Sequence, residues 1–206
     1  WMKNKTFLIS IIFSVVGVIN AITYIVLTSL KIVNVNIGPI LLVILYFLVA
    51  WLPVIFEKLL KMKFNLLIVI FYQLFIIFAL VIGSTWRVFV ITSVYDKIVH
   101  LGSGILVTFI FYNVFSSTSK VKLNKFWLFF ISFSVGMMVG GFWEILEFCF
   151  DGLLGENSQH WQGFVGREAL MDSMLDLICD FAGSIIGAMV ILFIDKNQNK
   201  VENNNK

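Results

Sequence analysis

Six runs of apolar residues, each close to twenty long, leave this chain few ways to fold. A helix crossing the hydrocarbon of a bilayer needs about 20 mostly apolar residues, and the runs fall at Phe7–Leu30, Ile37–Phe56, Phe64–Ile82, Ile98–Phe115, Phe126–Phe150 and Met171–Ile194. Together with short connections they use the whole chain and leave no room for a separate soluble domain. The expectation is an all-α integral membrane protein with about six transmembrane helices, a single helical domain over 1–195, and a disordered Asn/Lys-rich tail over 196–206. The balance of residue types agrees. The chain is 60% hydrophobic and 13% charged, with 22 Phe, whereas soluble domains carry about 25% charged residues. That leaves too little polar surface to cover a water-soluble globule. Trp1 precedes Met2, which reads as the natural start, and the run after Lys3 and Lys5 is too long for a signal-peptide core, so it reads as a retained first span.

Lys and Arg set the expected orientation. In a six-helix arrangement Lys3, Lys5, Lys58, Lys61, Lys63, Lys120, Lys122, Lys125, Lys196, Lys200 and Lys206 share one side, and Lys31, Arg87, Lys97 and Arg167 the other. The positive-inside rule then makes both termini cytoplasmic. The predicted location is a bacterial plasma membrane. Short connections join the spans: a turn from Asn34 to Pro39, a charged loop over Glu57–Lys63 and a Ser/Lys loop over Ser116–Lys125. Two outer segments are less plain. Gly83–Asp96 is apolar enough for an interfacial helix or a re-entrant piece. Asp151–Ala169, Gly-rich with Trp161 and Phe164, suits either a lid over a site or an ordinary outer loop. Cys149 and Cys179 lie in apolar runs with no CxxC partner and read as small buried hydrophobes.

The acids are not scattered. Asp96 and His100 are four apart at the start of the fourth span. Glu144, Glu147 and Asp151 close the fifth, and Asp172, Asp176 and Asp180 open the sixth. At about 100° per residue each set occupies one helix face within roughly 40–80°. The topology brings all three sets to one depth, a polar site in the outer half between helices 4, 5 and 6. Small residues extend these faces inward: Gly104 and Thr108, Gly140 and Gly136, Gly183 and Gly187. Such stripes let helix backbones approach closely in lipid. Asp172 is expected in water beyond the helix end. Asp180 is not: only 14 residues, Phe181–Ile194, remain after it, about 21 Å of helix, so the span must reach back past it. Acids inside a membrane cost about 2.5–3.5 kcal/mol each on insertion scales. Compensation comes from cations, protons or bases, and the bases at hand are Arg87, Lys97 and Arg167, with His100 and His160. His160 reads as a surface residue, and Glu156 and Glu168 as rim residues. Gln73 and Asn113 read as interhelical hydrogen-bonders.

These segments resemble a known family. YDKIVHLGSG (95–104), GGFWEILEFCFDGLLGENSQ (140–159) and LMDSMLDLICDFAGSIIGA (170–188) are similar to the YjdF-like bacterial inner-membrane proteins. A looser likeness links them to VanZ-like membrane proteins, which pair an Asp-x-x-x-His segment with later acidic segments. Here the spacing is longer, and Glu144-x-x-Glu147 stands where VanZ-like proteins carry Glu-x-x-Gln. The VanZ likeness implies a link to glycopeptide-antibiotic tolerance, and the YjdF likeness a membrane fold with a shared polar site.

Three functions fit this pattern. In a divalent-metal-dependent enzyme acting on a lipid or lipid-linked phosphate, His100, Glu144, Glu147, Asp151, Asp172, Asp176 and Asp180 are the candidate ligands of Mg²⁺, Mn²⁺, Ca²⁺ or Zn²⁺. Asp96, His100, Glu144 and Glu147 are then the candidate catalytic residues, with Asp96 orienting His100. Lys97, Arg167 and Gln159 would bind substrate. In a proton- or cation-coupled transporter the same acids relay charge, but the inner halves of these helices carry no matching polar groups and no inverted repeat is visible. In an accessory or immunity protein the cluster would only hold helices together. GxSxG, HExxH, P-loop and GxGxxG motifs are absent, and nucleic-acid binding has no support beyond the basic loops.

Overall fold

The computed structural model describes residues 5–32, 37–155 and 157–204. The expected turn from Asn34 and the rim position of Glu156 fall largely or wholly outside them. The described residues contain helices and no strand. The helices are α1 (Lys5–Ser29), α2 (Ile37–Ala50), α3 (Leu52–Leu59), α4 (Leu66–Ile76), α5 (Val88–Ile91), α6 (Ser93–Thr118), α7 (Lys125–Leu154) and α8 (Met171–Asn204). A π-helical stretch, Ile77–Thr85, continues α4, and a 3₁₀ turn, Glu168–Leu170, leads into α8. Among the described residues, six stretches are long and apolar enough to cross a membrane: Lys5–Ser29, Leu42–Leu59, Leu66–Thr85, Ser93–Thr118, Lys125–Leu153 and Glu168–Asp195. Each overlaps an apolar run of the sequence. Their outward faces are greasy, with Leu48, Leu67, Phe126, Met138, Phe148 and Phe193 all exposed. Exposed apolar side chains on this scale fit lipid as the solvent. Cys149 lies on such an exposed face rather than in the interior.

The chain forms two compact units, residues 1–95 and 96–206. In the first, Tyr46, Ala50, Ile76 and Val81 form a buried core. The second expected span is broken at Trp51, because Pro53 in the first turn of α3 has no N–H to continue the ladder from α2. Polar side chains stitch the unit. Gln73 donates to the Ala50 carbonyl at 2.7 Å and to Ser10 Oγ at 3.2 Å, the interhelical role its sequence suggested. Trp86 Nε1 donates to Asn20 at 2.9 Å. Glu57, placed by sequence in a charged loop, is instead buried within α3. It accepts from Thr6 Oγ1 at 2.5 Å, the Phe64 N–H at 3.0 Å and Lys63 at 2.9 Å. Gly83–Asp96 is not a loop. The π-helix runs to Thr85, Arg87 adopts a left-handed conformation (φ 59°), and the four-residue α5 follows.

The second unit holds the acids. Glycines set how closely its helices approach. A Cβ on Gly104 would lie 2.7 Å from the Asp180 carbonyl and 2.8 Å from the Ser184 nitrogen, and one on Gly183 would collide with the Leu101 carbonyl. These two glycines therefore put the backbones of α6 and α8 in direct contact. On α7, Gly136 and Gly140 make room for the side chains of Ser184 and Asp180. The stripes read from sequence are thus the packing seam of α6, α7 and α8.

Candidate functional site

On α6, Asp96 and His100 share one buried face, and on α8 Asp176 and Asp180 do the same, both fully buried. The glycine seam directs all four, with Glu144 of α7, into one cluster. His100 is its centre. Its Nδ1 lies 2.9 Å from Asp180 Oδ2, and Asp180 Oδ1 accepts from Ser103 Oγ at 2.9 Å. With both oxygens engaged, Asp180 fixes the imidazole. The orienting partner is therefore Asp180, while Asp96 faces the other ring nitrogen.

That other nitrogen, Nε2, faces a ring of oxygens: Asp176 Oδ1 at 3.7 Å, Asp96 Oδ1 at 3.8 Å and Glu144 Oε1 at 3.9 Å. These separations are too long for hydrogen bonds. Asp176 Oδ1 and Glu144 Oε1 are buried and have no hydrogen-bond partner. Ser173 stands beside the Glu144 carboxylate without satisfying Oε1. One ligand atom from each of Asp96, His100 and Asp176 lies within 4.8 Å of the others. Ligands about 2.0–2.3 Å from a shared ion stand roughly 3–4.5 Å apart. Asp96, His100 and Asp176 are thus close enough together to hold one cation, while Glu144 Oε1 faces the same ring nitrogen from outside that group of three.

The other predicted residues surround this cradle in distinct roles. Lys97 donates to Asp172 Oδ1 at 2.5 Å, Asp176 Oδ2 at 2.7 Å and Asp96 Oδ2 at 3.3 Å. Asp172 is not in water: its carboxylate also meets His160 Nδ1 at 3.0 Å, so His160 is tied to the cluster rather than lying free on the surface. Asp151 is drawn away from the cradle to the loop. Its carboxylate accepts the backbone N–H groups of Ser158 at 2.6 Å and Gln159 at 3.1 Å. Gln159 in turn donates to the Glu144 carbonyl at 3.3 Å and carboxylate at 3.4 Å. Glu147 accepts from the Trp143 indole at 2.9 Å, on the half-exposed edge of α7. Arg167 and Glu168 are exposed, and Arg167 is not joined to the cluster. Ser103, Ser173 and Trp143 carry contacts that sequence reasoning passed over. Ser103 alone left a signal, three residues after His100 on the Asp96 face.

Deeper along the helices, Thr108, Ser132 and Ser184 are fully buried, and the hydroxyl oxygens of Ser132 and Ser184 lack partners. The inner stretch is therefore less purely apolar than its sequence suggested, although Ala188, Ile191 and Leu128 are buried apolar residues further along it.

Among curated proteins, the chain is similar to an "Uncharacterized protein" of Thermotoga maritima, 29% identical over 102 residues. That alignment spans 47% of this chain and 47% of the relative. No solved structure matches the chain. The likeness to VanZ-like proteins finds no support in these comparisons, whereas the YjdF-like one is consistent with them. Residues 8–197 match the family described as "Predicted membrane protein (DUF2238)", and the chain belongs to that family.

Proposed function

We propose that this protein is a divalent-metal-dependent membrane enzyme acting on a lipid or lipid-linked phosphate, with its cation held by Asp96, His100, Asp176 and Glu144. One observation carries the reading: buried, unpartnered oxygens of Asp176 and Glu144 converge with Asp96 on one face of a histidine that Asp180 holds from behind. An unsatisfied buried oxygen costs about 1–3 kcal/mol, more when charged. Two facing the same point are costly unless a cation or protons sit between them. Charge balance supports a cation. Asp96, Asp172 and Asp176 pair with Lys97, while Glu144 and Asp180 face His100, so among the described residues five carboxylates of the cluster are matched by one fixed positive charge, that of Lys97, and a titratable imidazole. A divalent ion offsets two further charges. When bound it supplies a Lewis acid for a phosphoryl oxygen and an acidified water. Glu147 and Trp143, at the exposed apolar edge of α7, stand where a lipid would approach. By the positive-inside rule the site opens to the outer side of a bacterial plasma membrane.

The test is elemental mass spectrometry on detergent-purified protein, with release of phosphate from lipid phosphates as the activity readout. Wild type should hold near-stoichiometric metal, and Asp176→Asn and His100→Ala, monodisperse and folded, should lose both metal and turnover. Wild type without metal after dialysis against Mg²⁺, Mn²⁺, Ca²⁺ and Zn²⁺ would sink the proposal. A carrier reading gains Ser184 and Ser132 as buried polar stations. It is disfavoured by the buried apolar residues Ala188, Ile191 and Leu128 further along the helices.

A further inference from the structure

Lys97 is unusual company for the cradle. Its Nζ is surrounded by oxygens alone: Asp172 Oδ1 at 2.5 Å, Asp176 Oδ2 at 2.7 Å, Asp96 Oδ2 at 3.3 Å and the Asp172 carbonyl at 3.3 Å. An ammonium has three protons, so four acceptors are more than it can serve. Four oxygens at this range form the kind of nest a hard cation takes. The side chain is only 15% exposed. Two of the carboxylates are shared. Asp96 and Asp176 each turn one oxygen to Lys97 and the other to the space in front of His100 Nε2. Two carboxylates bridging two cation positions is the arrangement by which paired-metal centres hold ions about 3.5–4 Å apart.

We propose that the Lys97 ammonium occupies the second position of a carboxylate-bridged cation pair, so that the site takes one exchangeable divalent ion beside one covalently tethered charge. The inference rests on the cradle reading for the first position, but its own position is defined by Asp172, which does not face His100. On this reading Lys97, expected from sequence to bind substrate, has its protons engaged by carboxylates, and its part is to position Asp96 and Asp176. Because the tethered charge cannot leave, those two acids stay gripped whether or not the exchangeable ion is bound. A lysine serving only as a structural ion pair makes a different prediction once removed, since its pocket would then collapse or fill with water.

The experiment uses Mn²⁺ with full-length protein in detergent, read by elemental mass spectrometry and electron paramagnetic resonance. Wild type should bind one Mn²⁺ with the spectrum of an isolated ion. Lys97→Ala should bind two, with the spectrum of a magnetically coupled pair. Lys97→Ala combined with Asp172→Asn should return to one isolated ion. A folded Lys97→Ala that binds one Mn²⁺ where wild type binds one, or binds none, overturns the proposal. If Lys97→Ala is not monodisperse without metal, added Mn²⁺ should restore it, and failure to restore it counts equally against the proposal. The two readings fail separately: no ion in wild type with one in Lys97→Ala removes the cradle and keeps the lysine position, whereas one in each does the reverse.

Discussion

Gly140 and Gly141 are neighbours on α7, and the same substitution should move stability in opposite directions. A Cβ on Gly140 would sit 2.5 Å from Asp180 Cγ and 2.8 Å from Asp180 Cβ, and closer still to Oδ2. Asp180 cannot simply swing aside, because His100 and Ser103 hold its two oxygens. Gly140→Ala thus forces either a shift of α7 from α8 or the loss of those bonds. Overpacking costs about 1–3 kcal/mol, and a hydrogen bond to a charged group is worth about 1.5–3 kcal/mol. Against this stands a gain of up to about 1 kcal/mol from replacing a helical glycine. The net is a loss of about 0.5–2 kcal/mol. At Gly141 a Cβ meets nothing within 4 Å, so only the helix term remains and Gly141→Ala should stabilise by about 0.5–1 kcal/mol. Reversible unfolding by SDS titration in mixed micelles, followed by circular dichroism, measures both. If Gly140→Ala matches Gly141→Ala in sign, α7 does not present Gly140 to Asp180 and the placement of the acids fails with it.

Gly183→Ala should be worse than Gly140→Ala in the same assay, by about 1 kcal/mol or more, because its Cβ meets the backbone of Leu101 rather than a side chain. Asp180→Asn should leave the fold intact and weaken Mn²⁺ binding by about 10–100-fold, the usual effect of removing a partner behind a metal-binding histidine; titration with an unchanged affinity would remove Asp180 from that role. Lys63→Ala should change stability by less than about 1 kcal/mol, since its side chain is 69% exposed. Glu57→Ala should cost several times more in the same unfolding assay, because the Thr6 hydroxyl and the Phe64 N–H lose their buried acceptor.

The fold was legible wherever one physical rule acted alone. Span length is dictated by bilayer thickness, so all six apolar runs became helices long and apolar enough to cross one. The faces of α6, α7 and α8 followed from helical periodicity, and Gly104, Gly140 and Gly183 marked the seam because only a missing Cβ permits such approach. What sequence could not resolve was which acid meets which base. Asp96 is one helical turn from His100 and was the natural partner on spacing, yet the imidazole's Nδ1 points across to Asp180. That choice depends on the rotation of α8 against α6, a tertiary quantity. Asp151 shares the Glu144 face by periodicity but lies at the last turn of α7, where the loop's backbone N–H groups claim it. Glu57 was misplaced for the converse reason: a charged run suggested solvent, while Thr6, remote in sequence, supplied a buried partner.

The connection between α7 and α8 is cross-braced by two consecutive residues, Gln159 reaching Glu144 on one helix and His160 reaching Asp172 on the other. Asp151 clamps the same stretch through two backbone N–H groups. These ties divide one flexible strap into shorter arcs and remove their closure entropy in advance. The gap between the acid-bearing ends of α7 and α8 is then a gauge length written into the chain. If the proposed cation binds there, that spacing is already set, and affinity would not be spent on drawing the two helices together.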